Sequence, residues 1–375
     1  FLAVFLVAAA AAPPESRLDW RAIAQRVVRQ LALVPGERVV IVAHPGEFPE
    51  LLRPLREEVR KAGGVDAGVW MVLPDEALAE AQPGVPASRA ALVQMAHDVD
   101  AAIMMPGATP DHPEYAAFQE LLRGGRGRTV HFHWRGGGAP SAIAVPGHPL
   151  PPAEEIDATY QRALLTSDCR AIGEAERRFA AAMRAGEVHV TSSAGTDLRF
   201  RIGDRPVNFQ DGDASAARAR ESKVLIDREI ELPCGAIRVA PLEETVSGTV
   251  ALPPAEWADQ PVEGLKLRFE HGRVVQVSAA TGQKSVEAEL AQGGEAARAF
   301  REFALGFNPL LQVPAELPWI PYYGYGAGVV RLSLGDNSEL GGAVRGPYVR
   351  WNLFTDATVT IAGQVWVEGG KLKGL

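Results

Sequence analysis

The sequence is poor in cysteine, since Cys169 and Cys234 are the two thiols among 375 residues. So few cysteines exclude a disulfide-rich scaffold, and their separation lacks the close spacing of a zinc knuckle. In an oxidising compartment the two can pair, but the sequence leaves open whether they meet.

Positive charge is also scarce. Lys and Arg number 38 against 46 Asp and Glu, which gives a net charge of −8 and an isoelectric point near 5.6. No long basic run interrupts this balance, so nucleic acid is excluded as the main partner. With 47% apolar and 22% charged residues, the chain has the composition of a folded protein.

The first twelve residues, FLAVFLVAAAAA, are wholly apolar and precede Pro13 and Pro14. Spanning a bilayer as a helix takes about 20 residues, so this run is too short. It is typical of the apolar region and small-residue cleavage site of a secretory signal. We therefore expect residues 1–12 to be a signal remnant and the mature chain to be exported, periplasmic or extracellular, with no membrane attachment. A buried N-terminal helix is the alternative.

Between residues 13 and 152, short apolar runs alternate with helical patterns. Asp19 is a suitable N-cap for a helix in which Trp20, Ile23, Val27 and Leu31 recur at helical spacing. Strands are predicted at 38–43, 69–73, 99–105 and 129–134, and helices at 47–62 and 114–123. This alternation predicts an N-terminal domain built on a parallel sheet with helices on its faces.

Two features of this first domain raise the question of a ligand. The cluster Gly136-Gly137-Gly138 lacks the spaced glycines of a dinucleotide site and the Lys of a phosphate loop. His131 and His133 share one face of a predicted strand and form a possible metal pair. Because no third ligand is near in sequence, two partly buried histidines are the favoured interpretation.

From residue 153 to 375 the pattern changes. A helical stretch at 154–185 leads into short strand patterns separated by turns, such as His271-Gly272. One further helix is predicted at 285–303. A mostly antiparallel α+β domain follows from this arrangement.

Two strand patterns near the end of the chain flank a Gly-rich connection. Apolar residues alternate with Arg331 and Ser333 in the first strand, and with Arg350 and Asn352 in the second. We predict an antiparallel pair with one apolar face and one polar face that carries these four residues. A half-solvated sheet is the simplest interpretation.

Several motifs, taken in order, resemble the aminopeptidase T family of metal-dependent exopeptidases. They are Gly195-Thr196-Asp197-Leu198 with Arg205-Pro206, Leu232-Pro233-Cys234-Gly235, the segment 302–309, Leu334-Gly335, and Trp351 with its neighbours. The resemblance covers nearly the whole mature chain. It implies the aminopeptidase T fold, two divalent metals such as zinc or cobalt, and a homodimer.

The resemblance also implies six metal-ligand positions, and this chain keeps the family's residue at one of them. The residues at these positions are Ala236, Glu302, Arg331, Ser338, Arg350 and Asn352. Glu302 is the one retained, whereas the family has Glu, His, Tyr, His and Asp at the other five in that order.

The replacements change the charge as well as the ligands. Arg331 and Arg350 cannot lose a proton to become ligands. At an effective dielectric of ~20, two unit positive charges about 4 Å apart repel by about 4 kcal/mol, and a divalent ion doubles that cost. We therefore expect no cofactor in this site.

Three functions remain open. The first is an exported pseudo-enzyme that binds a small anionic or peptide-like ligand through Arg331 and Arg350, with Asn352 and Ser338 nearby. The second is a metal-independent hydrolase in which Glu302 is the general acid or base and the arginines stabilise an oxyanion. The third is an active aminopeptidase, which requires a different ligand alignment or metal ligands from the first domain. For the first, we predict that Glu302 and the polar residues of the two strands converge in one cleft.

Overall fold

The computed structural model describes residues 18–72, 89–132, 134 and 142–373. The predicted signal at 1–12, His133 and the glycine cluster at 136–138 lie outside these residues. Within the described ranges, no helix combines the length and the apolar character that a membrane crossing requires.

The described helices and strands are numbered here along the chain. The helices are α1 (Trp20–Leu31), α2 (Pro49–Lys61), α3 (Arg89–Ala96), α4 (Pro113–Arg123), α5 (Ala153–Thr166), α6 (Cys169–Ala185), α7 (Ala216–Glu221), α8 (Gln283–Gln292) and α9 (Gly294–Ala297). The strands are β1 (Arg38–Ala43), β2 (Val65–Met71), β3 (Ala101–Met104), β4 (Thr129–His131), β5 (Ala142–Ala144), β6 (Val188–Thr191), β7 (Asp197–Phe200), β8 (Asn208–Phe209), β9 (Glu229–Glu231), β10 (Ala236–Val239), β11 (Ser247–Ala251), β12 (Ala255–Trp257), β13 (Gln260–Val262), β14 (Lys266–Glu270), β15 (Arg273–Ser278), β16 (Phe300–Gly306), β17 (Trp319–Pro321), β18 (Val330–Gly335), β19 (Val349–Phe354), β20 (Thr358–Ile361), β21 (Gln364–Glu368) and β22 (Lys371–Leu372).

The first sheet is parallel and has the order β2-β1-β3-β4-β9 in the part of the chain that is described. Asp19 caps α1, since its carboxylate accepts a hydrogen bond from the Ala22 amide at 2.9 Å. Ile23, Val27 and Leu31 are buried along one side of that helix, as their spacing predicted. The predicted N-terminal α/β arrangement is confirmed.

Strand β9 joins this sheet from the second half of the sequence, because Glu229–Glu231 pairs in parallel with Thr129–His131. The hydrogen-bonded first sheet therefore extends across the boundary predicted at residue 152, and that boundary stays a prediction. The predicted helical stretch at 154–185 is two helices, α5 and α6. Asp168 starts the second by accepting a hydrogen bond from the Ala171 amide at 3.0 Å.

Two antiparallel sheets form most of the remaining chain. Among the described residues their orders are β15-β14-β11-β7-β6-β20-β21-β22 and β19-β18-β16-β10-β8. They share a core in which Phe200 of one sheet lies 5.3 Å from Phe303 of the other, measured between ring centroids. We call the β19-β18-β16-β10-β8 sheet the five-stranded antiparallel sheet. Its opposite face borders a second core, which contains Ala236 together with Ile230 of the first sheet and Tyr325. This confirms the predicted α/β and antiparallel α+β architecture.

The helix predicted at 285–303 is wrong in its second half. Helix α8 ends at Gln292, α9 ends at Ala297, and Phe300–Gly306 is a strand. The strand is the central member of its sheet, between β10 and β18, and all seven of its residues are buried. Pairing on both sides outweighs the local helical pattern here. As a result, Glu302 lies on a central strand rather than on a helix.

Candidate functional site

Glu302 lies on one face of the five-stranded antiparallel sheet together with two arginines. Glu302 is opposite Ser333, and Ala304 is opposite both Arg331 and Arg238 on its two neighbouring strands. Residues directly opposite one another in an antiparallel pair project to the same face. The register therefore brings the charged side chains of three strands together.

Glu302 is completely buried and is surrounded by donors. Its Oε2 accepts a hydrogen bond from Arg238 Nε at 2.9 Å, and its Oε1 accepts one from Ser333 Oγ at 3.1 Å. Arg331 Nε forms an ion pair with Oε1 at 3.0 Å. Each oxygen of the carboxylate thus faces a guanidinium group.

This arrangement fixes the charge of Glu302. Burial alone would raise the pKa of Glu302, but the positive charges of Arg238 and Arg331 outweigh burial and hold the pKa far below its usual range. Glu302 is therefore ionised at neutral pH. A carboxylate so stabilised is a poor general base and does not hold a proton to donate as a general acid.

A second carboxylate completes the group. Glu339 accepts a hydrogen bond from Arg238 Nη2 at 2.9 Å and another from Arg301. Burial would raise the pKa of Glu339, but Arg301 and Arg238 together lower it. We call Arg238, Arg301, Glu302, Arg331 and Glu339 the arginine cluster. Its three positive and two negative charges leave it with a formal charge of +1.

Arg331 is held inside the protein rather than presented to a ligand. Its side chain is 3% exposed. Nη1 donates a hydrogen bond to the Tyr323 carbonyl oxygen at 3.3 Å, and the guanidinium carbon lies 4.5 Å from the ring centroid of Trp351. The predicted antiparallel pair of β18 and β19 is confirmed, but β18 is buried on both faces and has no solvated side.

Arg350 lies on the other face of the sheet, because it is opposite Leu334. Its Nη1 donates to Glu289 Oε1 at 2.9 Å, and its Nη2 donates to the Glu256 carbonyl oxygen at 2.7 Å. The guanidinium carbon lies 3.5 Å from the ring centroid of Trp257. Arg350 is thus fastened to the β12–β13 hairpin and to α8.

Asn352 shares the face of Arg350, since it is opposite Leu332 and donates a hydrogen bond to the Leu332 carbonyl oxygen at 3.1 Å. The predicted convergence of Glu302, Arg331, Arg350 and Asn352 in one cleft is therefore wrong. Alternation along each strand was predicted correctly. The register, which the sequence does not reveal, is what places Arg331 and Arg350 on opposite faces.

Of the other two predicted positions, Ala236 has no polar side-chain atom, and Ser338 bonds to a carboxylate other than Glu302. Ser338 begins a 3-10 turn, and its hydroxyl and amide donate to Asp336 Oδ1 at 2.6 and 2.8 Å. Ala236 is buried opposite Gly306 at the end of the strand pair that also carries Arg238. Arg238, Arg301 and Glu339 were not predicted from the sequence, although charges within otherwise apolar strands were a usable signal for the first two.

The histidine of the first sheet is buried among polar groups. Tyr115 Oη lies 2.9 Å from His131 Nδ1, and Thr129 Oγ1 lies 2.7 Å from Nε2. Glu229 Oε1 lies 4.0 Å from Nε2. Burial and the nearby carboxylate of Glu339 raise the pKa of Glu229 to about 8. Among the described residues, no group of three or more His, Cys, Asp or Glu side chains is arranged to hold a metal ion.

A cleft of about 400 Å³ lies along β19. One wall is formed by residues 350–356, and the others include residues 143–146 and 253–255. Arg350 and Asn352 line it, whereas Arg331 does not. The cleft thus contains two of the six family positions.

Comparison with known proteins supports the resemblance. Residues 172–311 match the sequence profile of the family described as thermophilic metalloprotease. Wild-type AmpT from Thermus thermophilus has the same fold, with a TM-score of 0.60 and 18% identity over 95% of this chain and 99% of that one. The profile match spans less than half of the chain, and the structural likeness shows the aminopeptidase T fold.

The aminopeptidase T fold is also found in a protein with a different activity. The 2,5-dihydroxypyridine dioxygenase from Pseudomonas putida aligns with a TM-score of 0.62 and 15% identity over 95% of this chain and 97% of that one. At these identities the likeness of the structures shows the fold alone. No curated protein matches the chain.

The residues at these positions do not fit the two divalent ions that the family resemblance implies. The retained Glu302 already satisfies two guanidinium groups, and Arg331 holds its charge 3.0 Å from the carboxylate. Arg350 and Asn352 point away from that carboxylate on the other face of the sheet. Two cations in this position would face permanent positive charge in place of anionic ligands.

Proposed function

We propose that this protein is an aminopeptidase T family member that has lost metal-dependent peptide hydrolysis and binds a peptide-like ligand in the cleft along β19. The observation that carries the proposal is the state of Glu302, which is buried between Arg238 and Arg331. A carboxylate neutralised by two buried guanidinium groups has little affinity left for a metal ion.

The metal-independent hydrolase receives no support from this geometry. A general base must reach the proton that it abstracts and must have a pKa near the working pH. Glu302 is completely buried, and Arg238 and Arg331 hold its pKa far below that range. The arginines that an oxyanion would need are already paired with carboxylates.

The ligand site that we propose differs from the one predicted from the sequence. Arg331 is excluded because it is enclosed in the arginine cluster, whereas Arg350 and Asn352 line the cleft. The cleft volume falls within the range of small-ligand sites, which is about 300–1,000 Å³. Its walls combine apolar side chains with the polar groups of a strand, which suits a peptide better than a small inorganic anion.

Export remains part of the proposal. A disulfide joins Cys169 and Cys234, whose Cα atoms are 6.0 Å apart. Disulfides form and persist mainly outside the cytosol, so the bond supports an exported, periplasmic or extracellular location. Fractionation of cells that express the full-length protein tests this, because uncut protein in the cytoplasm would contradict export. The homodimer implied by the family is retained as a proposal for sedimentation analysis.

Elemental analysis and an aminopeptidase assay test the loss of hydrolysis. The purified protein is dialysed against metal-free buffer, its metal content is measured, and leucine p-nitroanilide is supplied with and without zinc, cobalt or manganese. We expect no stoichiometric metal and no hydrolysis. Bound metal with chelator-sensitive hydrolysis would restore the peptidase, and metal-free turnover that Glu302→Gln abolishes would favour the hydrolase.

Calorimetry with short zwitterionic peptides tests the ligand half of the proposal. We expect di- and tripeptides to bind without being cleaved. Glu287→Gln, on an exposed site of α8 away from the cleft lining, is the matched control and should bind equally well. The absence of any peptide binding would contradict this half of the proposal.

A further inference from the structure

The strand that lines the cleft has one side without a β partner. In the described part of the chain, β19 pairs with β18 alone and is the outermost strand of its sheet. An edge strand presents a row of backbone N–H and C=O groups that can pair with an added chain. Residues 350–354 of this edge strand line the cleft.

The opposite walls leave this edge available. The cleft includes Pro146, Pro253 and Pro254, whose nitrogens have no hydrogen to donate to the carbonyl groups of β19. Strand β5, which contributes residues 143 and 144, has β17 as its partner among the described residues. The cleft therefore lies between two strands that each have room for another pairing.

Apolar side chains line the space between these strands. Ile143 and Ile320 come from the ribbon of β5 and β17, and Trp351 and Leu353 come from β19. An extended ligand presents alternate side chains to its two sides, so such walls suit a chain with apolar side chains at alternate positions.

The two ends of the lining segment carry opposite charges. Asp356 is exposed, and its carboxylate accepts a hydrogen bond from the Ser193 hydroxyl at 2.6 Å. Among the described residues, no Lys, Arg or His forms an ion pair with Asp356. Arg350 lies at the other end, where Glu289 balances part of its charge and its side chain is 19% exposed. Five residues lie between the two, 351–354 in β19 and Thr355 in the bend that follows it. An extended peptide of six residues is about 20 Å long.

We infer that this cleft takes an extended peptide of about six residues, which adds to β19 as an antiparallel strand. Its N-terminal ammonium group lies at Asp356 and its C-terminal carboxylate lies towards Arg350. Main-chain hydrogen bonds to the edge of β19 hold the peptide, and alternate side chains contact the apolar walls. This inference rests on the proposed function, because it specifies how a peptide-like ligand lies in the same cleft.

Retention of synthetic peptides on the immobilised mature protein, with its disulfide intact, tests the inference. A mixture of random hexapeptides with free termini is applied, and the best retained sequence is identified by mass spectrometry. That peptide is then resynthesised with an acetylated N-terminus, with an amidated C-terminus, and with N-methyl groups on either the odd or the even residues. Calorimetry measures the affinity of each form.

We expect the modifications to act unequally. Acetylation removes the charge that Asp356 binds and should weaken binding about tenfold, whereas amidation should have a smaller effect because Glu289 already pairs with Arg350. Alternate residues of an antiparallel strand direct their N–H groups to the same neighbour. One set of N-methyl groups should therefore abolish binding, and the other should be tolerated.

Variants of the protein provide the complementary control. Asp356→Asn should reproduce the effect of acetylation on the free peptide and add nothing to it on the acetylated one, whereas Glu287→Gln should change neither. No retention of hexapeptides, equal tolerance of both methylated forms, or an unaffected Asp356→Asn would overturn the inference. So would a dimer in sedimentation whose formation excludes the peptide, since the edge would then pair with a second copy of the chain.

The outcome also separates this inference from the proposed function. Hydrolysis of the retained peptide would contradict the loss of peptidase activity and leave the binding mode standing. Binding of dipeptides without any advantage for hexapeptides would uphold the proposed function and contradict the extended mode.

Discussion

At Glu302, the charges around one carboxylate decide which chemistry the site can support. Burial disfavours the ionised form, yet Arg238 and Arg331 more than reverse that effect. The anion that a metal would need is thereby committed to the protein's own cations. The same pairing makes each of these groups dependent on the others, because an unpaired charge in this position has little water to solvate it.

Replacing Glu302 should therefore cost stability rather than activity. Glu302→Gln leaves Arg238 and Arg331 buried without their shared counter-charge, and we expect the free energy of unfolding to fall by about 3–5 kcal/mol at pH 7. Urea denaturation followed by circular dichroism measures the change. Combining Glu302→Gln with Arg331→Met should recover part of the loss, because it removes one of the stranded charges. A single variant as stable as the wild type would show that the pair contributes nothing.

Glu229 has a raised pKa, in contrast to Glu302, and should make the stability of the protein depend on pH. Burial and the Glu339 carboxylate raise the pKa of Glu229 to about 8 in the folded protein, above its value in the unfolded chain. Between about pH 4.5 and 8 the folded state thus keeps a proton that the unfolded state releases. Within this window the free energy of unfolding should fall by about 1.4 kcal/mol per pH unit as the pH rises.

The variant Glu229→Gln isolates this contribution, because it cannot release a proton. We expect the stability of the variant relative to the wild type to increase from pH 5 to pH 8 and then to level off. Denaturant unfolding at a series of pH values measures both proteins. Curves that run parallel across this range would contradict the raised pKa.

At the scale of elements, the strand pattern of the sequence was informative but incomplete. Alternation identified β18 and β19, and it predicted correctly which residues share a side within each strand. The pairing register is set by contacts distant in sequence, and a shift of one residue exchanges the faces. Contacts distant in sequence also explain the error at 300–303, which was predicted to end a helix but pairs with two neighbouring strands.

The register gives Arg350 a structural task that its sequence pattern did not suggest. Stacking on Trp257 and pairing with Glu289 fasten the β12–β13 hairpin to the sheet edge and to α8. We expect Arg350→Ala to lower the free energy of unfolding by about 1–3 kcal/mol, and Arg350→Lys to recover only part of this, because lysine lacks the planar fork that stacks and pairs at once.

Hydrogen exchange locates that effect. In Arg350→Ala, the amides of residues 255–262 should exchange faster, while those of the first sheet stay unchanged. Unaltered exchange in the hairpin would show that Arg350 does not hold the hairpin in place. Full recovery with lysine would show that Arg350 acts only as a point charge.

For the whole molecule, the fold and the chemistry are separable. The same fold is found in AmpT and in a 2,5-dihydroxypyridine dioxygenase, so the architecture does not select the reaction. What the sequence could predict was the architecture, whereas the implied loss of metal ligands at Ala236 and Arg331 stays an expectation. The sequence could not predict the pairing of Glu302 with Arg238, or of Arg238 with Glu339, because strand pairing and a turn bring these residues together rather than a motif.

The disulfide ties together distant parts of this architecture. Cys169 begins α6, and Cys234 precedes β10, the strand that carries Arg238 into the arginine cluster. The two are 65 residues apart in sequence. A cross-link that closes a loop of this length reduces the entropy of the unfolded chain, by an amount that corresponds to about 4 kcal/mol of stability.

Replacing both cysteines should therefore lower the free energy of unfolding by about 2–4 kcal/mol, because measured effects commonly fall below the entropic value. The comparison uses Cys169→Ser with Cys234→Ser in urea denaturation, beside the wild type with and without dithiothreitol. Reductant should destabilise the wild type by a similar amount and leave the double variant unaffected. If the reduced wild type unfolded at the same urea concentration as the oxidised one, the bond would not stabilise the fold.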